Sequence, residues 1–165
     1  MTPETNRHLR QCYVGIGSNL DNPLQHVNIA INQLKQLKDT TWVGVSSLYR
    51  SAPVGPAGQD DYINAVASFH TNLEPEILLD KLQQLEDAHQ RVRIEHWGAR
   101  TLDLDILLID NICINTSRLT VPHPYLHLRN FVLIPLIELA GDILINDTKI
   151  SKLITNCPSG SLDKL

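Results

Sequence analysis

The sequence predicts an α+β domain with a ferredoxin-like β-α-β-β-α-β order: an antiparallel sheet with helices packed on it and a C-terminal extension. Three observations predict it. Four runs of β-forming residues alternate in that order with two stretches of helical periodicity. Each helical stretch opens on a polar residue followed by proline. No internal repeat and no Gly/Ser/Pro-rich linker divides the 165 residues.

The first strand is CYVGIG, residues 12–17, ending in glycines. SNLDNP then turns the chain, with Asn22 as expected cap and Pro23 in the first turn of a helix. Leu24, Val27, Ile31, Leu34 and Leu37 recur at three- and four-residue steps and predict its buried face. WVGVSSLYR, 42–50, reads as the second strand, and the Pro/Gly-rich APVGPAGQDD, 52–61, as a loop long enough to carry function. YINAVASFH, 62–70, is the third strand. Glu74 and Pro75 open the second helix, with Ile77, Leu78, Leu82 and Leu85 expected inward. A charged segment from His89 to Ala99 reads as a second long loop, and Leu102–Ile109 as the fourth strand. Beyond Asp110, an extra hairpin, the loop VPHPYLHLRN, an apolar helix near 131–140 and a short tail are expected to extend the sheet or cover its edge.

Composition narrows the function classes. A chain that is 42% hydrophobic and 19% charged is ordinary for a globular protein, and residues 11–165 are long enough for one core-bearing domain behind a polar tail at 1–10. A net charge of −4 offers no general attraction to nucleic acid or to an anionic membrane, so neither partner is expected. The N-terminus shows no apolar segment of signal type, and FVLIPLIELA is too short and too interrupted to span a bilayer. The three cysteines form no C-x-x-C pair, which predicts neither a disulfide framework nor a zinc site. A cytoplasmic monomer is the expectation.

The chemistry concentrates in RTLDLDILL, residues 100–108. Alternation along a strand puts Asp103, Asp105 and Leu107 on one face and Leu102, Leu104, Ile106 and Leu108 on the other. Two carboxylates at i and i+2 repel unless something compensates them. A hard cation such as Mg²⁺ does so, binding one or two carboxylates and completing its shell with water and phosphate oxygens. D-x-D by itself fits equally an amphipathic strand whose acidic face is solvated or paired with arginine. The preceding RVRIEHWGAR gathers Arg91, Arg93 and Arg100 with His96 and Trp97, and guanidinium forks match phosphate oxygens. Together they predict a polyphosphate with its metal.

No standard phosphate loop is present. GIGSNL has Leu20 at the third glycine position of G-x-G-x-x-G, so Gly15 and Gly17 are expected to serve a turn and a close approach of backbone to the site. His123 and His127 are four apart, but Pro122 and Pro124 flank His123 and oppose the helix needed to align them on one metal. His123 is expected as a donor to phosphate and His127 as a surface residue. Tyr62, Asn64 and Phe131 read as core or edge residues from pattern alone.

With RTLDLDILL, RVRIEHWGAR, GIGSNL and LYRSAPVGPAGQDDYINAV, the chain closely resembles the 6-hydroxymethyl-7,8-dihydropterin pyrophosphokinase family of folate biosynthesis, from about Tyr13 to about Leu139. The resemblance implies an ATP-dependent diphosphotransferase that moves the β,γ-diphosphate of ATP to the pterin hydroxymethyl oxygen and releases AMP. It implies that Asp103 and Asp105 hold two Mg²⁺ ions along the triphosphate and that Arg91 and Arg100 clamp the phosphates, these four being the catalytic set. Glu86, Arg93, Trp97, His123 and Arg129 align with nucleotide- or loop-associated positions. Tyr62 and Phe131 align with residues that sandwich the pterin, Asn64 with one that bonds its polar edge, and Ser51, Ala52, Pro53 and Val54 with the segment that reads the rest of the ring. The segments 51–61 and 89–99 are expected to close over the substrates and exclude water. Three departures stand out: Ala99 where many members have proline, Pro124 after His123 where some have tyrosine, and an arginine segment one residue shorter around Arg93.

Two other classes compete. A nucleotidyltransferase also uses paired aspartates but releases pyrophosphate, and a non-catalytic ferredoxin-like module gives no reason for two same-face aspartates behind an arginine cluster.

Overall fold

The computed structural model describes residues 9–53, 58–89, 101–158 and 160–165. Strand β1 (Arg10–Ser18) leads into helix α1 (Pro23–Lys35), followed by β2 (Thr40–Val45), β3 (Tyr49–Ser51) and β4 (Tyr62–Thr71). Helix α2 (Pro75–Ala88) precedes β5 (Asp103–Ile109) and the hairpin β6 (Ile114–Asn115) and β7 (Thr120–Val121). A 3₁₀ turn (Leu126–Leu128) and α3 (Asn130–Ala140) come next. A second hairpin, β8 (Leu144–Ile145) and β9 (Thr148–Lys149), then leads to α4 (Ile150–Asn156) and β10 (Leu162–Lys164).

The main sheet runs β10-β3-β4-β1-β5, with β2 also paired to β4, and every pairing is antiparallel. This is the ferredoxin-like order expected from the sequence, lengthened at one edge by β10. Helices α1 and α2 cover one face, where Val27, Ala30, Leu34, Leu78 and Leu82 pack on Val14, Ile16, Phe69, Leu104 and Ile106. The other face is covered by α3 and α4, through Val132, Leu133, Leu136 and Ile150 against Tyr13, Val66 and Leu107. The C-terminal extension was expected to lengthen the sheet or cover its edge. It does the first through β10, and α3 covers a whole second face instead of an edge. The reason is that α3 is apolar on nearly every side and needs both the sheet and α4 against it. Gly141, at φ 77, ends the helix in a conformation glycine favours, its N–H reaching Ile137 O at 2.9 Å.

Local details correct four further expectations. The 42–50 run is two strands, because Ser46 breaks the ladder: its hydroxyl accepts Val66 N–H at 2.9 Å in place of a strand partner. Asn22 precedes α1 but does not cap it with its side chain. It sits at φ 67, its amide reaches Gln25 Oε1, and its carbonyl takes the N–H groups of Gln25 and His26. Leu24 and Ile77 lie exposed in the first turns of their helices; in α2 the buried line is Leu78, Leu82 and Glu86, one residue round from Ile77. Leu108 also changes sides. A bulge opposite Tyr13 and Val14 leaves Leu107 unpaired on β5, so Leu107 and Leu108 both enter the α3-side core.

Candidate active site

The register of three strands builds a floor. Asp103 lies opposite Gly17 and Asp105 opposite Gly15, and on the other side of β1 Gly17 lies opposite Asn64 and Gly15 opposite Val66. Both aspartates are half-buried and Asn64 is buried. Glycines of β1 therefore lie between the carboxylates of β5 and the amide of β4; the Leu107 side chain covers Gly15, 3.5 Å from where a Cβ would sit, which leaves Gly17 as the more open of the two among the described residues. A Cβ added at Gly17 would sit 3.7 Å from Asn64 Oδ1 and from the Tyr62 ring, in ordinary contact, so the fold itself does not demand glycine at this point.

The wall beside Asn64 comes from β3. Asn64 Nδ2 donates to Ser51 Oγ at 2.8 Å, and Ser51 pairs with Tyr62 in the ladder. Ala52 is exposed and Pro53 half-buried. Buried Asn19, just past β1, donates to Gln59 Oε1 at 3.2 Å and to Asp60 O at 3.0 Å, tying the residues before β4 to the end of β1. Nothing in the hydrophobic pattern marked Asn19; the position of a buried amide beside a loop is visible only in three dimensions.

The roof is the start of α3 with the turn before it. His123 N–H donates to the carbonyl of Leu107, the bulged residue, at 3.0 Å, which fixes the segment against β5. His123 Nδ1 accepts Tyr125 N–H at 3.2 Å, so the ring proton is on Nε2 and available to donate. Burial first, then the nearby Arg129 cation, pushes the His123 pKa down to about 4, while Asp103 acts the other way. The imidazole is thus a neutral donor at neutral pH. The Arg129 guanidinium lies 5.5 Å from the Tyr125 ring and 5.9 Å from the Phe131 ring, a cation held over two aromatic faces. Tyr125, to which the sequence assigned no role, is part of this cluster and stacks edge-on with His123 at 6.0 Å.

Glu86 occupies a different place. It is buried on α2, beneath the sheet, and its carboxylate accepts Leu104 N–H at 3.1 Å, between the two aspartates in sequence. Ser18 donates its hydroxyl to Thr101 O, anchoring the entry to β5. Val54, Arg91, Arg93, His96, Trp97, Ala99 and Arg100 lie outside the described residues. His127 is exposed.

The site so assembled pairs an acidic edge, a glycine floor at Gly17, an amide wall and an aromatic–cationic roof. The family model described as 7,8-dihydro-6-hydroxymethylpterin-pyrophosphokinase (HPPK) matches residues 13–141. The chain belongs to this family. The enzyme is 47% identical over 138 residues to the 2-amino-4-hydroxy-6-hydroxymethyldihydropteridine pyrophosphokinase of Haemophilus influenzae, covering 84% of this chain and 86% of the relative. It is 42% identical over 158 residues to that of Pseudomonas aeruginosa, covering 95% and 98% of the two chains. Among solved structures, Plasmodium falciparum HPPK-DHPS with pteroate superposes with a TM-score of 0.71 at 12% identity. That likeness covers 92% of this chain and 41% of the longer one, and it shows the shared fold.

The enzyme is an ATP-dependent pyrophosphokinase of folate biosynthesis, transferring diphosphate from ATP to the hydroxymethyl group of 6-hydroxymethyl-7,8-dihydropterin to give AMP and the pterin diphosphate. Enzymes of this family use ATP with Mg²⁺. Among the described residues, no helix is long and apolar enough to cross a membrane.

Proposed function

We propose that the reaction runs on the floor between β5 and β4, with Asp103 and Asp105 at the phosphate end and Asn64, Tyr62 and Phe131 at the pterin end. The observation that carries this reading is the register Asp103–Gly17–Asn64, which sets a carboxylate and an amide on either side of bare backbone on the α3-covered face. The carboxylate pair suits Mg²⁺ by donor chemistry: two hard oxygens from one strand face, with no further His, Cys, Asp or Glu grouped among the described residues, leave most of an octahedron to water and phosphate. Asp103 and Asp105 would hold Mg²⁺, proposed as two ions, whose charge would neutralise the phosphate oxygens.

The residues of this chain do the rest by placement. The pterin hydroxymethyl oxygen bonds to the β-phosphorus of ATP as the bond from that phosphorus to the α,β-bridging oxygen breaks; AMP leaves with that oxygen and the hydroxyl proton passes to water. His123 Nε2–H and the Arg129 guanidinium donate toward the polyphosphate from the roof, as Arg91, Arg93 and Arg100 do from the arginine segment, with Trp97 against the nucleotide. Tyr62 and Phe131 enclose the flat heterocycle, and Asn64 with Ser51, Ala52, Pro53 and Val54 reads its edge. Glu86 acts on the nucleotide side by holding β5 at Leu104. Residues 11–165 work as one domain, as a monomer in the cytoplasm, without nucleic acid or membrane.

The test is to incubate the protein with ATP, Mg²⁺ and the hydroxymethyl-dihydropterin and to follow AMP in wild type, Asp103→Ala and Asn64→Ala. The reading expects pterin-dependent AMP, no turnover in Asp103→Ala, and a raised pterin KM in Asn64→Ala. Full activity in Asp103→Ala refutes it.

A further inference from the structure

Glu138 ties together the two walls that the proposed pterin site needs. It lies on α3 seven residues beyond Phe131, two helical turns along and on the same side of the helix. Its carboxylate accepts the backbone N–H of Ser47 and, at 2.8 Å, the hydroxyl of Tyr49, while Lys164 Nζ of β10 approaches to 3.4 Å. Tyr49 is the ladder partner of Asn64, and Ser51, two residues on, takes the Asn64 amide at 2.8 Å. One carboxylate therefore connects the helix that carries Phe131 to the short strand that carries Ser51, the acceptor of the Asn64 amide on β4.

We propose that Glu138 is a positioning residue for the pterin, fixing the gap between the Phe131 roof and the Asn64–Ser51 wall. The inference rests on the reading of the pterin end given above. Strand β3 is three residues long, follows the ladder break at Ser46 and has the equally short β10 as its outer neighbour, so few ladder bonds fix it beyond those to β4. The Ser47 N–H, in the link between β2 and β3, and the Tyr49 hydroxyl of β3 each pair one oxygen of this exposed carboxylate, and together they add a constraint from α3. Against the upward push of burial, the Ser47 N–H and Tyr49 hydroxyl hold the Glu138 carboxyl below its usual range. The same contact, after burial, pushes Tyr49 up to about 12, so the phenol keeps its proton as donor throughout the working range.

The test compares Glu138→Ala, Glu138→Gln, Tyr49→Phe and Asn64→Ala in the full chain. Affinity is read for 6-hydroxymethylpterin with Mg²⁺ and a non-hydrolysable ATP analogue, and for the analogue alone. Glu138→Ala is expected to weaken pterin binding at least fivefold while analogue affinity moves less than twofold. Glu138→Gln, which can accept from Ser47 and meet the Tyr49 hydroxyl without charge, is expected to restore pterin affinity to within twofold of wild type, and Tyr49→Phe to weaken it two- to fivefold. Unchanged pterin affinity in both Glu138→Ala and Tyr49→Phe, or an equal loss for both ligands, overturns the inference. If Glu138→Ala does not fold, Tyr49→Phe decides by the same split. Asn64→Ala separates the two levels: normal pterin binding there refutes the site reading itself, whereas impaired binding there with normal binding in the Glu138 and Tyr49 variants refutes only the role of Glu138.

Discussion

Gly17→Ala separates what the fold asks of β1 from what the substrates ask of it. Gly17 has ordinary strand backbone, and among the described residues an added Cβ meets only Asn64 Oδ1 and Tyr62 Cδ1, each at 3.7 Å. Neither contact is repulsive, and a strand-interior glycine costs roughly 0.5–1 kcal/mol relative to alanine through the entropy of the unfolded chain. The variant should therefore be as stable as wild type or more so, and in a chain of this size 1 kcal/mol corresponds to about 2–4 °C in Tm. The site should respond in the opposite direction. The new methyl rises from the strip between Asp103 and Asn64, and a flat ring resting on that floor must lift by about one C–C bond length, roughly 1.5 Å. Misplacement of about 1 Å can cost on the order of 10²-fold, or about 2.7 kcal/mol of transition-state stabilisation. Differential scanning calorimetry and chromatographic measurement of AMP would read both sides. Wild-type kcat/KM with alanine in place would refute the floor, and a fall in Tm beyond a few degrees would show that the glycine serves packing instead.

Other expected outcomes follow from the same geometry. Asp103→Asn and Asp105→Asn should each lower kcat by at least about 10³-fold at fixed Mg²⁺ with Tm nearly unchanged, because they remove charge at the phosphates and leave the core face of β5 untouched; steady-state rates over a range of Mg²⁺ check this. Acid should weaken the folded state through His123. Its folded pKa is about 4 against about 6.5 unfolded, so the unfolded chain takes up a proton the native ring excludes, and the contribution is complete above about pH 6.5 and lost toward pH 4. Solvent screening at a half-buried ring limits it to about 1–2 kcal/mol. His89, lowered by burial and then by His26, whose Nδ1 meets its own at 2.7 Å, adds in the same direction. Denaturant unfolding at pH 7.5 and pH 5 should show a smaller acid loss in His123→Gln than in wild type; equal losses would remove His123 from the account. Leu136→Ala, at a fully buried position on α3, should cost about 2–5 kcal/mol by urea midpoint.

Helices α1 and α2 and strands β1, β4 and β5 were legible because their periods report a regular buried face, and α3 because it is a long apolar run, whereas α4 and β8 to β10 fell in what read as a short tail. Asp103 and Asp105 were legible for the converse reason, since a charge inside an apolar run breaks the pattern. Leu108 was misplaced because a bulge changes which face a residue takes without changing its type, and no local composition marks it. The break at Ser46 was equally silent: serine in a β-rich run looks neutral until its hydroxyl replaces a backbone partner. Leu24 and Ile77 are exposed although both were expected inward, and in α2 the buried line is Leu78, Leu82 and Glu86, so Ile77 lies about 100° off it around the helix.

The proposed pterin end was silent for a deeper reason. Tyr62, Asn64, Phe131 and Glu138 look like edge, core or surface residues singly, and none breaks a pattern. Their meaning comes from long-range register: Asn64 faces Gly17 across one strand pair and Tyr49 across another, and Tyr49 reaches Glu138 on a helix more than 80 residues away in sequence. The proposed phosphate end is marked in the sequence chiefly by the short stretch around Asp103 and Asp105, because two carboxylates in an apolar run break its pattern. The aromatic end is distributed because stacking needs two surfaces held apart, and two surfaces at a set spacing need two separate elements and something to join them. A residue such as Glu138 is then required by the geometry even though it touches no part of the floor, and it is the residue whose loss should separate pterin affinity from ATP affinity.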